Sequence, residues 1–286
     1  ELMFEGQINT AFRPKIVEFF NRIVHYCPYL KHYSLQISSS NSFPHSSGIA
    51  SSASAMSALA LCIMELEHQL DPSMKPAFFL QKASFLARLG SGSACRSIEG
   101  PVVVWGAHPQ VKNSSDWFGV ADTLTVHPVF LTYRDTVLLV DHGQKEVSSS
   151  VGHNLMNNHP FSAMRFDQAQ RNMTQLLEVL AEGNCDEFVE IVEAEALSLH
   201  AMMMTSSPSF LLMKPNTLHI IDAIRAYRKK THIPLCFTLD AGANVHLLYP
   251  EANAKEVVAW IASDLAQYCQ NQQYIHDRVG SGAKKT

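Results

Sequence analysis

Between Ser38 and Met64 the chain reads SSSNSFPHSSGIASSASAMSALALCIM and holds no Lys, Arg, Asp or Glu. A run of this length without charge can fold in few ways. Pro44 and Gly48 break regular structure in its first half, and the hydroxyls of Ser46, Ser47, Ser51 and Ser52 crowd the same loop. From Ala50 onward the residues turn small and apolar, which suits a helix that neighbours approach closely on several sides. The loop therefore empties into a helix N-terminus, where the first backbone N–H groups lack partners and carry a partial positive charge. Glycine and serines at such a start can cradle a phosphate, which makes Ser46, Ser47, Gly48, Ala50, Ser51 and Ser52 candidates for holding an anion. A transmembrane span needs roughly 20 predominantly apolar residues, and here serines and a proline interrupt the run. A flexible Ser-rich linker does not end in an apolar block such as Ala58–Met64. A plain buried helix behind a serine-capped loop fits the spacing as well as an anion cradle does.

Two further stretches carry chemistry. Phe78, Phe79, Phe85, Leu86 and Leu89 mark one face of a helix that opens at Asp71-Pro72 and stops at Gly90. The stop delivers Arg88-Leu89-Gly90-Ser91-Gly92-Ser93-Ala94-Cys95-Arg96-Ser97, in which glycines let backbone approach a ligand and Ser91 and Ser93 offer hydroxyls. Arg96 adds a fork of donors suited to a carboxylate or phosphate, although most arginines form no more than a solvated surface pair. Further on, the apolar run Ile233–Leu239 ends on Asp240 and bends at once through Ala241-Gly242. A carboxylate held at the end of a buried strand is a candidate for acid–base work, and an aspartate capping its own turn is the equally ordinary alternative. Ser148-Ser149-Ser150 could meet a ligand or cap a helix. His200 reads either as ligand-facing or as a core histidine.

Composition narrows the field. The 286 residues are 47% hydrophobic, enough for a substantial core in one large domain or two moderate ones. A formal net charge of -4 with scattered Lys and Arg forms no basic stripe, so no nucleic-acid partner is expected. No signal peptide or spanning helix is visible, and the six widely spaced cysteines fit buried free thiols in a reducing cytoplasm. Met202-Met203-Met204 reads as adaptable core, and no side-chain pattern for a metal site stands out. Periodicity predicts helices around 11–20, 166–180, 189–199, 218–224 and 258–268, and strands around 32–36, 101–105, 135–141, 233–239 and 245–249. That alternation is not strict βαβ. It predicts an α+β fold with mixed or antiparallel sheets and a lobe boundary between about Gly143 and Pro160.

The blocks Asn41–Ala53, Arg88–Ser97 and Phe237–Asn244 together resemble, in order, three motifs of the diphosphomevalonate decarboxylases in the GHMP kinase superfamily, with weaker matches from Phe4 onward. The family opens with a Lys-Tyr-Trp-type strand that has no counterpart here, and the chain does not begin with Met, so an upstream segment is expected. Glu99 stands where a glycine is usual, Ala55 near another, and Ala243 where proline is common. The resemblance implies a two-lobed GHMP-kinase-like fold with its site in the cleft. Residues 1–150 would be a nucleotide-binding lobe lacking its first strands, and 151–286 a helix-rich lobe. It implies ATP-dependent decarboxylation of mevalonate 5-diphosphate, with ATP and Mg²⁺, in a cytoplasmic homodimer. By this likeness Ser46–Ser52 hold the nucleotide phosphates, Arg96, Ser91, Ser93 and Ser149 hold the substrate, and Asp240 is catalytic. A phosphomevalonate decarboxylase, a mevalonate 3-kinase and an inactive nucleotide-binding protein on the same fold are the competing readings.

Overall fold

Pro14 in the first turn and an apolar face ending in the buried Phe19 and Ile23 set helix α1, Arg13–Ile23. It belongs to a computed structural model that describes residues 1–286 apart from Asn9, 44–48, Asp122, 142–154 and Thr286. Chain contacts divide the molecule into two units, Glu1–His45 with Ala50–Thr123 and Gly280–Thr286, and Ser46–Ile49 with Leu124–Val279. The boundary expected between Gly143 and Pro160 falls largely outside the described residues.

In the first unit, β1 (Leu2–Phe4) pairs antiparallel with β2 (Gln7–Ile8) and parallel with β3 (Ile37–Ser39). The strand expected at 32–36 thus begins at Ile37. Pro28–His32 forms a 3₁₀ turn instead, and extended backbone becomes strand only where Leu2–Phe4 supplies hydrogen-bond partners. The uncharged stretch becomes α2 (Ser51–Leu70), burying Ala53, Met56, Ser57 and Ala60, and the small side chains let other helices come close. Helix α3 spans Pro76–Gly90 and does not open at Pro72. Asp71 instead closes a local turn, its carboxylate accepting from the Ser73 backbone N–H at 3.1 Å and hydroxyl at 2.5 Å. Of the run 101–105 only Val104–Trp105 (β4) pairs, with Gly119–Val120 (β5), and Pro101 at its start has no N–H to give to a ladder.

Helices α1, α2 and α3 share one core, with Phe19, Met56, Ile63, Met64 and Leu86 at its centre. Gly90 is the last residue of α3, and a Cβ there would lie 2.6 Å from Met56 Sδ and 3.0 Å from Phe19 Cδ2. Its role is close approach as much as helix termination.

The second unit is built on a four-stranded antiparallel sheet in the order β7-β8-β6-β9, with β6 Arg134–Leu138, β7 Cys236–Leu239, β8 Val245–Tyr249 and β9 Tyr274–Arg278. Its helices are a short α4 (Pro128–Leu131), α5 (Ser162–Glu182), α6 (Cys185–Met204), α7 (Pro215–Thr231) and α8 (Ala254–Trp260). Gly183 in the left-handed region ends α5 and Asn184 caps α6, accepting from the Glu187 N–H at 3.2 Å. The helix expected over 258–268 continues α8 through a π-helical stretch, Ile261–Leu265, and a 3₁₀ turn, Ala266–Tyr268. Phe237, Val245, Leu247 and Tyr249 pack with Ile220 and Ile224 of α7 in the core. Buried Glu193 on α6 ties to α7 through Arg228 at 2.6 Å and Arg225 at 3.5 Å. Strands and helices in both units make the chain α+β, as expected. Four of the cysteines are buried, whereas Cys62 is exposed, off the buried face of α2, and Cys185, the first residue of α6, is only partly covered.

The Gly90 contact yields a stability test. Alanine is worth about 1 kcal/mol over glycine in a helix, and overpacking a core costs typically ~1–3 kcal/mol. Urea unfolding of Gly90→Ala is expected to show a net loss of stability. A variant more stable than the parent would mean that Met56 and Phe19 yield freely.

Candidate functional site

Helix α2 starts in an unusual way. Its N-cap, Ala50, has φ 54° and ψ 38°, a left-handed conformation that a non-glycine residue adopts at some cost, and its own side chain offers no capping hydrogen bond. No acidic residue stands in that turn either. The positive end of a 20-residue helix is therefore not offset by an acidic residue of its own first turn. Ala50 is exposed, and Ser51 and Ser52 are partly exposed. Ser46, Ser47 and Gly48 lie outside the described residues, as does Ser149.

The second motif meets this helix start directly. Ser52 Oγ lies 3.3 Å from Ser91 Oγ, within hydrogen-bonding distance. Past Ser91 the chain runs through the 3₁₀ turn Gly92–Ser97, with Ala94 and Cys95 buried and Arg96 exposed in its last turn. Ser84 on α3 anchors the turn, donating from its hydroxyl to the Cys95 carbonyl at 2.9 Å and accepting from the Gly119 N–H at 2.9 Å. Burial pushes the Cys95 thiol up, against the pull of the positive charges on Arg96 and Arg88. Ala50, Ser51, Ser52, Ser91, Ser93 and Arg96 thus belong to one unit, with the helix start and the turn in contact at Ser52 and Ser91. Among the described residues Arg96 makes no ion pair, which sets it apart from Arg22, Arg134, Arg165 and Arg228.

In the other unit Asp240 follows β7, the edge strand of the sheet, and is exposed. Its backbone is held from two sides. The Asp240 carbonyl accepts from the Gly242 N–H at 2.8 Å and lies 3.1 Å from His200 Nε2, which must carry the proton because a carbonyl only accepts. The residues after it are tied as well. Thr217 donates from its hydroxyl to the Ala243 carbonyl at 2.6 Å, and Asn244 Oδ1 accepts from the Asp141 N–H at 2.9 Å. The backbone of the bend is thus hydrogen-bonded at Asp240, Ala243 and Asn244. His200 is the buried core histidine of the two readings, and it had no sequence signal for its bond to Asp240, because the partner is a backbone atom 40 positions away.

Among the described residues no cluster of three His, Cys, Asp or Glu side chains could hold a metal ion. Magnesium in nucleotide sites is carried largely by phosphate oxygens and water, with one or two carboxylates, so the donors present fit an ion that arrives on a nucleotide. No helix among the described residues is long and apolar enough to cross a membrane.

Comparison with known proteins bears on both units. Residues 1–116 match the family model of the diphosphomevalonate decarboxylase-like N-terminal domain, and residues 136–285 match that of the mevalonate 5-diphosphate decarboxylase C-terminal domain. A diphosphomevalonate decarboxylase of Candida albicans is 26% identical over 238 residues, covering 81% of this chain and 62% of the relative. A phosphomevalonate decarboxylase of Haloferax volcanii is 27% identical over 231 residues, covering 80% of this chain and 65% of the relative. The solved structure of MDDEF in complex with MVAPP, AMPPCP and magnesium superposes with a TM-score of 0.80 at 27% identity, covering 98% of this chain and 81% of that one. The α+β architecture is thus that of the mevalonate diphosphate decarboxylases, the GHMP kinase fold. The chain spans about three fifths of the length of the first of these curated relatives.

The His200 contact has a pH signature. Burial holds the imidazole below its ordinary value, partly countered by the Asp240 backbone bond and charge. The unfolded chain takes up that proton near pH 6.5 and the folded one only at lower pH. Below about 6.5 the unfolded state therefore binds more protons, and stability falls as pH falls. His276, also lowered by burial, adds to the same loss. Urea unfolding of His200→Gln between pH 7 and 5.5 should lose less stability than the parent. Equal losses in the two proteins would contradict the assignment.

Proposed function

Because the chain belongs to the diphosphomevalonate decarboxylase family, we propose that the protein it represents decarboxylates mevalonate 5-diphosphate at the expense of ATP, yielding isopentenyl diphosphate, ADP, phosphate and carbon dioxide. The observation that carries the reading is the contact between Ser52 and Ser91, which joins a helix start whose N-cap, Ala50, offers no side-chain acceptor to a Gly-Ser turn bearing Arg96, an arginine without an ion pair among the described residues. Both halves of that contact favour an anion.

A tertiary hydroxyl does not leave as hydroxide, so the γ-phosphoryl of ATP is first transferred to it, and phosphate then departs with loss of carbon dioxide. Such transfers depend on positioning and charge stabilisation more than on covalent help from the protein. In this reading Ser46, Ser47, Gly48, Ala50, Ser51 and Ser52 bind the nucleotide phosphates at the positive end of α2. Bound Mg²⁺ would neutralise phosphate charge. Arg96 grips the substrate carboxylate, and Ser91, Ser93 and Ser149 contact its oxygens. Asp240 orients the tertiary hydroxyl and accepts its proton, a role worth typically ~10²–10⁴-fold in rate. Still ionised as phosphate leaves, or ionised again by proton loss, it would also stabilise positive charge developing at the tertiary carbon. The assignment of a nucleotide-binding lobe to 1–150 and a second lobe to 151–286, the homodimer and the cytoplasmic location belong to the same proposal.

The Haloferax volcanii relative favours a second reading, in which the substrate is the monophosphate. An assay of the full-length protein with ATP and either phosphate ester, following ADP and carbon dioxide together, separates the cases. Equal amounts of both products from the diphosphate support the first reading, both from the monophosphate alone support the second, and ADP without carbon dioxide points to a kinase. Asp240→Asn should keep nucleotide binding and lose turnover by ~10²-fold or more, whereas Arg96→Ala should act chiefly on substrate KM. Unchanged turnover in Asp240→Asn would remove that carboxylate from the chemistry.

A further inference from the structure

Arg88 has a different setting from the ion-paired arginines of this chain. Arg22, Arg134, Arg165 and Arg228 each hold a carboxylate. Arg88 makes neither an ion pair nor a hydrogen bond among the described residues, and its Nε is buried without a partner. What surrounds it is aromatic. The guanidinium carbon lies 5.0 Å from the centroid of the Trp117 ring and 5.8 Å from that of Trp105. Indole faces attract a cation, and a guanidinium lying over two of them is held in place without needing acceptors.

The stack leads to the ligand-facing turn. The far edge of Trp105 packs on Gly92, where a Cβ would lie only 3.1 Å from Cη2. The same indole donates from Nε1 to the Asp116 carbonyl at 3.0 Å, and the Asp116 carboxylate accepts from the Ala107 N–H at 2.9 Å. One helical turn before Arg88, Ser84 bonds the far end of the turn at the Cys95 carbonyl and the partner strand at Gly119. Residues 84 and 88 share a face of α3. From that face the helix therefore grips the turn at both ends, by hydrogen bonds near Cys95 and through an indole at Gly92. The positive charge of Arg88 also bears, with that of Arg96, on the Cys95 thiol.

We infer that Arg88, clamped between Trp105 and Trp117, is a positioning residue that fixes the Gly92–Arg96 turn for an anionic substrate. The inference rests on the reading above that this turn receives the substrate. Arg88 acts through Trp105, so its loss should loosen the turn before it harms the fold. Because the ring packs directly on Gly92, a looser ring lets Ser93 and Arg96 drift, and drift of that kind is costly to substrate capture.

The test combines amide hydrogen exchange with steady-state kinetics on the full-length protein, using Arg88→Met, Arg88→Lys and Trp105→Phe. In Arg88→Met the amides of 91–97 should exchange at least about tenfold faster, those of the α7 core should not change, and KM for mevalonate diphosphate should rise by at least about tenfold with KM for ATP unchanged. Arg88→Lys, which keeps the charge but not the plane, should recover part of both. Trp105→Phe should move both readouts in the same direction, and it decides the matter if Arg88→Met does not fold. Unaltered exchange at 91–97, or faster exchange with an unaltered substrate KM, overturns the inference. Parent protein that neither binds nor turns over mevalonate diphosphate defeats the functional reading instead, and the exchange data still decide whether Arg88 orders the turn.

Discussion

A missing methyl group at Gly90 is the constraint on which the first unit's candidate site depends. With only hydrogen there, the end of α3 presses against Met56 of α2 and Phe19 of α1, at distances that a Cβ would crowd unless those side chains shifted. That approach brings the residue after the helix, Ser91, to the first turn of α2 and within reach of Ser52. A neutral hydroxyl pair of this kind contributes only about 0.5–1.5 kcal/mol, so packing at the glycine sets the geometry and the hydrogen bond follows from it. The charge-free composition of Ser38–Met64 has the same logic, since small uncharged side chains on α2 permit neighbours on several sides.

The second unit solves a different problem, how to hold the backbone that carries one exposed carboxylate. Asp240 follows an edge strand, where hydrogen bonds from a neighbour are available on one side only. Its carbonyl is bonded to Gly242 and the buried His200, and beyond it Ala243 is held by Thr217 and Asn244 by Asp141. The histidine is neutral in this role because burial disfavours its charged form, and a neutral Nε2–H donor leaves the negative charge of Asp240 uncompensated by it.

Much of this was legible in the residues because local rules and tertiary demands agree there. Val245–Tyr249 alternates and is a strand with those bounds, Gly183-Asn184 separates two helices, and the serine loop leads into α2 where the apolar run begins. Other features depend on partners distant in sequence. The strand read at 32–36 lies at Ile37–Ser39 because Leu2–Phe4 is there to pair with it. Strand β9 has no counterpart among the expected strands, since Tyr274–Arg278 is a polar edge segment whose pairing with β6 spans about half the chain. The bonds of His200 to Asp240 and of Thr217 to Ala243 end on backbone carbonyls, which no side-chain motif announces. Arg88 stood in plain view inside a motif, yet its two tryptophans lie outside that motif, and only the fold brings them to it.

The reaction proposed above assigns the substrate's tertiary hydroxyl to Asp240 and its carboxylate to Arg96. A crystal structure of the full-length protein with mevalonate diphosphate bound measures this most directly. The account predicts Asp240 within about 2.6–3.2 Å of the tertiary hydroxyl, in the same complex in which Arg96 holds the carboxylate. A ligand gripped by Arg96 with Asp240 several ångströms beyond hydrogen-bond reach, and no water between them, would contradict it.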